Sequence, residues 1–180
     1  MPPDFEELDY QETPLGTLIL RRRRLRSLDD LEVYEIILGE GYLMSSLFTT
    51  VEIALANLAL ALLPAEKREL SVAVGGLGLG YTAQAALKDS RVSELVVVEA
   101  LPDVIGWHRK ELVPLGKEIH NDPRCRLIEG DFFSLAAGQG FDPGEPRRCF
   151  DAILLDIDHS PRNLIHERHQ GFYSLSGLRR

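Results

Sequence analysis

The stretch "VAVGGLGLGYTAQAAL", residues 72–87, decides the fold. A run of strand-forming residues stops at Gly75, Gly76, Gly78 and Gly80, and helix formers follow at once. Glycines at a strand-to-helix turn permit positive φ angles and bring bare backbone up to a ligand. The helix opening near Tyr81 or Thr82 presents unpaired N–H groups at the same spot. Such glycines also serve close packing of a helix on its strand, so the turn alone leaves both roles open.

Working outward toward the C-terminus, strand and helix patterns alternate. "LSVAVG" is a short apolar strand and "TAQAALKD" is helical. "ELVVVEA" is a second strand, followed by one helical stretch, "LPDVIGWHRKELVPLGKEI". "CRLIEGD" and "FDAILLDID" are a third and a fourth strand, and "AAGQGFDPGEPRR" (136–148) reads as a surface loop. The alternation predicts βαβ units and a parallel sheet. Strands such as "LVVVE" are apolar throughout, as expected where helices cover both faces.

Toward the N-terminus the pattern changes. Residues 8–44 are rich in Val, Ile, Leu and Tyr, with turn signals at Pro14-Leu15-Gly16 and Gly39-Glu40-Gly41. They predict a small antiparallel β unit over residues 1–45, ahead of a Rossmann-like domain over 46–180. Ser45 or Ser46 is expected to cap a helix running to about Leu63. That helix holds the most apolar stretch, "LFTTVEIALANLALALL", of only 17 residues and interrupted by Glu52 and Asn57. It reads as a buried helix ended by Pro64, not a membrane span.

Composition narrows the function classes. The 180 residues suggest one domain, and 44% apolar with 27% charged residues is ordinary for a globular protein. A net charge of −8 argues against a nucleic-acid binder. The basic run Arg21–Arg24 with Arg26 reads as a solvated edge strand in preference to a phosphate patch. Cys125 and Cys149 match no metal spacing and fit a reduced, cytoplasmic protein. The acidic "MPPDFEELDY" is not a signal peptide. His166 and His169 lack companions at metal-ligand spacing, so no metal site is expected.

Acids mark the ends of the parallel strands. Glu99 closes the second strand, 19 residues after Gly80. A carboxylate there accepts hydrogen bonds from both hydroxyls of a ribose, or else is a solvated strand-end acid. Asp131 closes the third strand and Asp156 the fourth. Acids on three separate strands converging on one rim favour a nucleoside pocket over coincidence. Asp158 and His159 follow closely; the histidine is a general-base candidate or a solvated loop residue. Trp107-His108-Arg109 reads as packing plus surface.

These residues resemble the class I S-adenosylmethionine-dependent transferases, and in particular the spermidine synthase (polyamine aminopropyltransferase) family, over about residues 10–175 and best over 70–160. That family places a small β domain before a Rossmann-like domain. Its glycine motif, roughly Ile-Gly-Gly-Gly-Asp-Gly-Gly-Thr, is answered by "GGLGLGYT" (75–82). The resemblance implies that Gly75, Gly76, Gly78 and Gly80 line the cofactor, that Glu99 of "VEAL" holds the ribose, and that Asp131 of "DPRCRLIEGDFF" holds the adenine amine with Phe132 stacking nearby. Asp156 of "FDAILLDIDHSP" takes the place of the aspartate that helps deprotonate the attacking amine.

The departures carry meaning too. Leu79 stands where the family has an Asp, Thr50-Val51 replaces the Tyr-His of Tyr-His-Glu while Glu52 is kept, and Leu101 replaces the second acid of "VEID". The nucleoside half of the pattern is retained and the polyamine half largely replaced. The expected activity is transfer from S-adenosylmethionine or its decarboxylated form to a small-molecule acceptor, by methyl or aminopropyl transfer. The alternative is an adenosyl-ligand-binding protein without chemistry. Family members continue past "FYSLSGL" into further strands, so the chain is expected to be incomplete at its C-terminus. An open edge on the fourth strand, together with the N-terminal β unit, predicts a homo-oligomer.

Overall fold

The computed structural model describes residues 4–158 and 160–178. His159, the general-base candidate of the sequence, lies outside them.

Two four-stranded sheets organise the chain. The first is an antiparallel meander of β1 (Phe5–Thr13), β2 (Gly16–Leu25), β3 (Leu31–Leu38) and β4 (Gly41–Ser45), with β1 starting before the expected residue 8. Both expected turns are present, between β1 and β2 and between β3 and β4. The arginine run corrects the sequence reading, because β2 is an interior strand. Register sets Arg21 opposite Glu35, Arg22 opposite Glu6 and Arg24 opposite Glu32. Arg21 bonds Glu35, Arg22 reaches Glu6 at 2.6 Å, and Arg24 reaches Glu32 at 3.1 Å. Cross-strand ion pairs, not solvent, answer this charge.

The second sheet is parallel, with the order β7 (Cys125–Glu129), β6 (Val92–Glu99), β5 (Leu70–Gly75), β8 (Ala152–Leu155). The chain steps outward from β5 to β7, then returns to the other side of β5. That reversal opens a crevice at the carboxyl ends of β5 and β8. Alternate residues of each strand serve different cores. Val72, Val74, Leu95, Val97 and Leu154 pack under α1 (Thr50–Ala61), α2 (Tyr81–Lys88), α3 (Pro102–Arg109) and α4 (Gly116–Asn121). Leu18, Leu20 and Ile36 of the first sheet belong to this same core. On the opposite face Ala73, Val96 and Val98 meet α5 (Phe132–Ala137) and an aromatic cluster. Burial on both faces is why these strands read as continuous apolar runs.

Three local expectations are corrected. The stretch 101–119 is two helices, because Glu111 takes φ 56° and Pro114 follows, ending helical hydrogen bonding. Helix α1 starts from Thr49, since Ser45 still belongs to β4 and the Ser46 hydroxyl accepts from the Tyr34 N–H. It is not a buried helix: Ala56 and Leu60 are buried, while Val51, Leu58 and Leu62 face solvent. The loop 136–148 lies on the surface as expected, with 143–147 exposed, and two residues anchor it: Phe141 stacks on Phe132 with centroids 4.5 Å apart, and buried Asp142 pairs with Arg126 and Arg148. Both cysteines are free, and burial pushes the Cys125 thiol up to about 12. Among the described residues, no helix is long and apolar enough to cross a membrane.

Candidate functional site

The crevice holds a cavity of about 280 Å³. Its floor is the turn after β5. Gly76 takes φ 93°, and a Cβ there would collide with the Asp156 carbonyl at the end of β8. Only glycine lets the two strand ends meet this closely. Gly76 and Gly78 line the cavity.

Gly75 and Gly80 do not line it, contrary to the expectation, because their missing side chains make room for protein. The Phe132 ring lies 2.6 Å from where a Gly75 Cβ would stand, and Ile119 and His108 press on Gly80. The leucines between the glycines follow the same logic. Leu79 is completely buried in the main core and does not line the cavity. Leu77 is buried at the cavity wall. Trp107 is buried and donates to Asp9 at 2.6 Å, tying α3 to β1. His108 is buried too, and its Nε2 meets the Gly78 carbonyl at 2.9 Å. Burial lowers its pKa, which favours the neutral ring that donates to this carbonyl. Of the three residues, only Arg109 stays on the surface.

The strand-end acids do converge. Glu99, Asp131 and Asp156 all line the cavity. Glu99 accepts from the Leu77 N–H and the Leu101 N–H, each at 2.9 Å and each on a different oxygen. Burial raises its pKa, against the pull of those N–H groups. Asp131 caps α5, accepting from the Ser134 N–H at 2.7 Å, and pairs with Arg168 at 2.7 Å. Burial pushes its pKa up, but the Ser134 bonds and the Arg168 charge outweigh it and hold the carboxyl below its ordinary value. Phe132 also lines the cavity; it is almost fully buried, and one face of its ring stacks on Phe141.

At the other end, Asp156 accepts from the Thr82 hydroxyl at 2.6 Å. Burial raises its pKa, and that hydrogen bond opposes the rise. Glu52 at the start of α1 is raised by burial as well, and by repulsion from Asp156. Two acids with elevated pKa values form a cation-attracting and proton-accepting corner.

Two walls come from outside the four parallel strands. Leu15 from the β1–β2 turn, Leu38 at the end of β3, and Leu43 and Met44 of β4 reach in from the antiparallel sheet. Ile165, His166, Arg168 and His169 reach in from the segment after β8. The hairpins were legible as turns but not as a wall. The later segment carries histidines that sequence reading weighed only as metal ligands. A second recess of about 600 Å³ adjoins past Leu101, Asp131 and Arg168.

The fold is similar to that of solved spermidine synthases. One is spermidine synthase from Thermotoga maritima, with a TM-score of 0.64, 18% identity, and coverage of 83% of this chain and 47% of that one. Another is a spermidine synthase in complex with the transition state analogue AdoDATO, with a TM-score of 0.66, 17% identity, and coverage of 91% of this chain and 50% of that one. The chain thus spans about half the length of these structures. No family model matches the sequence, and no curated protein does. At these identities the likeness is one of fold.

Proposed function

We propose that the chain binds S-adenosylmethionine or its decarboxylated form and transfers an alkyl group from the sulfonium to a small-molecule nucleophile. The observation that carries the reading is the convergence of Glu99, Asp131 and Asp156, from three parallel strands, on one cavity at the sheet's reversal point. Glu99 receives the ribose hydroxyls, Asp131 the adenine amine, and Asp156 with Glu52 the nucleophile, whose proton Asp156 draws. Rate comes from positioning and proton removal, since the sulfonium is already an activated leaving group.

The lining supports a finer reading of the ligands. It holds five carboxyl groups, Glu52, Glu99, Asp131, Asp156 and Asp158, against one guanidinium, Arg168. An acid-rich pocket disfavours a further carboxylate, so the decarboxylated sulfonium is expected to bind more tightly. On the acceptor side, Val51, Leu38, Leu43 and Met44 make an apolar wall. That wall suits an amine with an apolar body better than a diamine.

Calorimetry with S-adenosylmethionine, its decarboxylated form and methylthioadenosine tests the reading. Binding of at least one ligand in the micromolar range is expected, with Asp156→Asn keeping most of the binding and losing transfer. Absence of binding by all three overturns it.

A further inference from the structure

We propose that Asp158 and His169 form a proton-accepting dyad on the cavity wall, in which His169 Nε2 takes the proton of the attacking nucleophile. The inference rests on the adenosyl-ligand reading above. It adds a second acceptor to Asp156, on the wall built by the segment after β8.

The geometry starts from Asp158, whose side chain is wholly removed from solvent. Its carboxylate accepts from the Ile165 N–H at 2.7 Å, from the Tyr173 hydroxyl at 3.0 Å and from His169 Nδ1 at 2.9 and 3.1 Å. A carboxylate accepts only, so the Nδ1 must carry the hydrogen. The neutral ring then has its lone pair on Nε2. Among the described residues Nε2 has no hydrogen-bond partner, and the His169 side chain keeps 6% of its surface exposed. His169 lines the cavity. The Phe133 ring lies parallel to the imidazole, with centroids 3.9 Å apart and planes within 20°. The imidazole is therefore held at one nitrogen and on one face, and its free nitrogen is the one left for a ligand.

A tether for the later segment would not need this arrangement. The Ile165 N–H and the Tyr173 hydroxyl already tie Asp158 to it. A carboxylate taken out of water is costly unless it stabilises a charge nearby. Behind an imidazole it fixes the ring's orientation and tautomer and balances the charge that proton uptake creates. The other titratable groups around the ring are His166, with centroids 6.0 Å apart, Tyr173, Arg168 and Asp131. Burial and Asp158 raise the Tyr173 pKa, so the phenol stays a neutral donor.

The step balances without a further reagent. The nucleophile is an amine, whose lone pair forms a C–N bond to the carbon beside the sulfonium. The C–S bond breaks, and its electron pair stays on sulfur as a neutral thioether. The proton left on nitrogen passes to Nε2, and water later removes it from the imidazolium–carboxylate pair.

The test uses the chain labelled with ¹⁵N-histidine. Long-range proton–nitrogen spectra are recorded across pH, with and without methylthioadenosine, and His169→Gln assigns the signals. The expected result is a protonated Nδ1 and a bare Nε2 at pH 8, an Nε2 shift on adding methylthioadenosine, and a proton affinity about tenfold lower in Asp158→Asn. Tyr173→Phe, which keeps the dyad but loosens the segment, should leave the titration nearly unchanged. With decarboxylated S-adenosylmethionine and a panel of primary amines, His169→Gln should lose more than about tenfold in rate, with added imidazole restoring His169→Gly. An Nε2–H tautomer, an unchanged affinity in Asp158→Asn, or an unchanged rate in His169→Gln overturns the dyad. A parent that binds methylthioadenosine but transfers to no amine overturns the dyad's role alone. A parent that binds no adenosyl ligand overturns the site reading as well.

Discussion

The two sheets handle charge in opposite ways. On the antiparallel sheet every arginine from Arg21 to Arg24 meets an acid, and Glu35 is buried between Arg21 and Arg23. At the end of the parallel sheet, Glu52, Glu99 and Asp156 line a cavity with no ion pair to a basic side chain among the described residues. The first arrangement settles its charge internally and is structural. The second leaves charge unanswered in a buried place, which costs stability and creates a site. The arginine run drew attention in the sequence, but the buried acids without a basic partner are the better guide to the candidate site.

Substitutions can break that contrast. The largest effect is expected at Glu35. Glu35→Ala strands two guanidinium groups and should cost about 2–4 kcal/mol in denaturant unfolding, while leaving methylthioadenosine affinity unchanged. A milder loss of stability with weakened binding would erase the distinction between the sheets. Next is Glu99→Ala, which should weaken adenosyl-ligand binding by about 1–3 kcal/mol with little loss of stability. Equal affinity for parent and variant would remove Glu99 from the site.

A smaller effect separates the sheets by pH. Asp156 has a folded pKa raised above its unfolded value. Its protonated form is favoured in the folded state, so its contribution is intact below the unfolded value and is lost as pH rises through the folded one. Asp156→Asn should therefore gain on the order of 1 kcal/mol at pH 7 relative to pH 4. Asp142 is lowered, by its Arg126 bond above all, so its contribution is present above the unfolded value and lost on acidification. Asp142→Asn should flatten the acid limb of melting temperature against pH. Identical pH curves for both variants would show that the two environments do not differ. The smallest effect is expected at an exposed pair: Arg26→Gln, which loses the 2.6 Å contact to Asp4, should change stability by less than about 0.5 kcal/mol.

Much of the parallel sheet was legible because its signals are local. Continuous apolar runs, glycines at one turn and acids at strand ends lie within a few residues of each other. What stayed hidden depends on distant partners or on side-chain direction. The acids answering Arg21 and Arg22 lie 14 and 16 residues away, so the run looked solvated. Motif matching set Leu79 in an acid's place but carries no information about which way the residue points. Asp158 finds its histidine partner among the described residues in His169, 11 residues away, a pairing that no local pattern announces. The helix over 101–119 was drawn whole because nothing in Glu111 announces a positive φ.

The strand β8 occupies two positions at once. It delivers Asp156 to the cavity, and it is the last strand of its sheet, with Ile153 half-exposed on it and Leu58 and Leu62 exposed on α1, which packs beside it. The strand that carries Asp156 is thus also an edge strand. A second chain, or any strand that zips onto that border, would stiffen the ground on which Asp156 stands and tune its reach toward a bound nucleophile. If pairing at that border tunes the site, light scattering followed alongside transfer rate across protein concentration will show the two changing together.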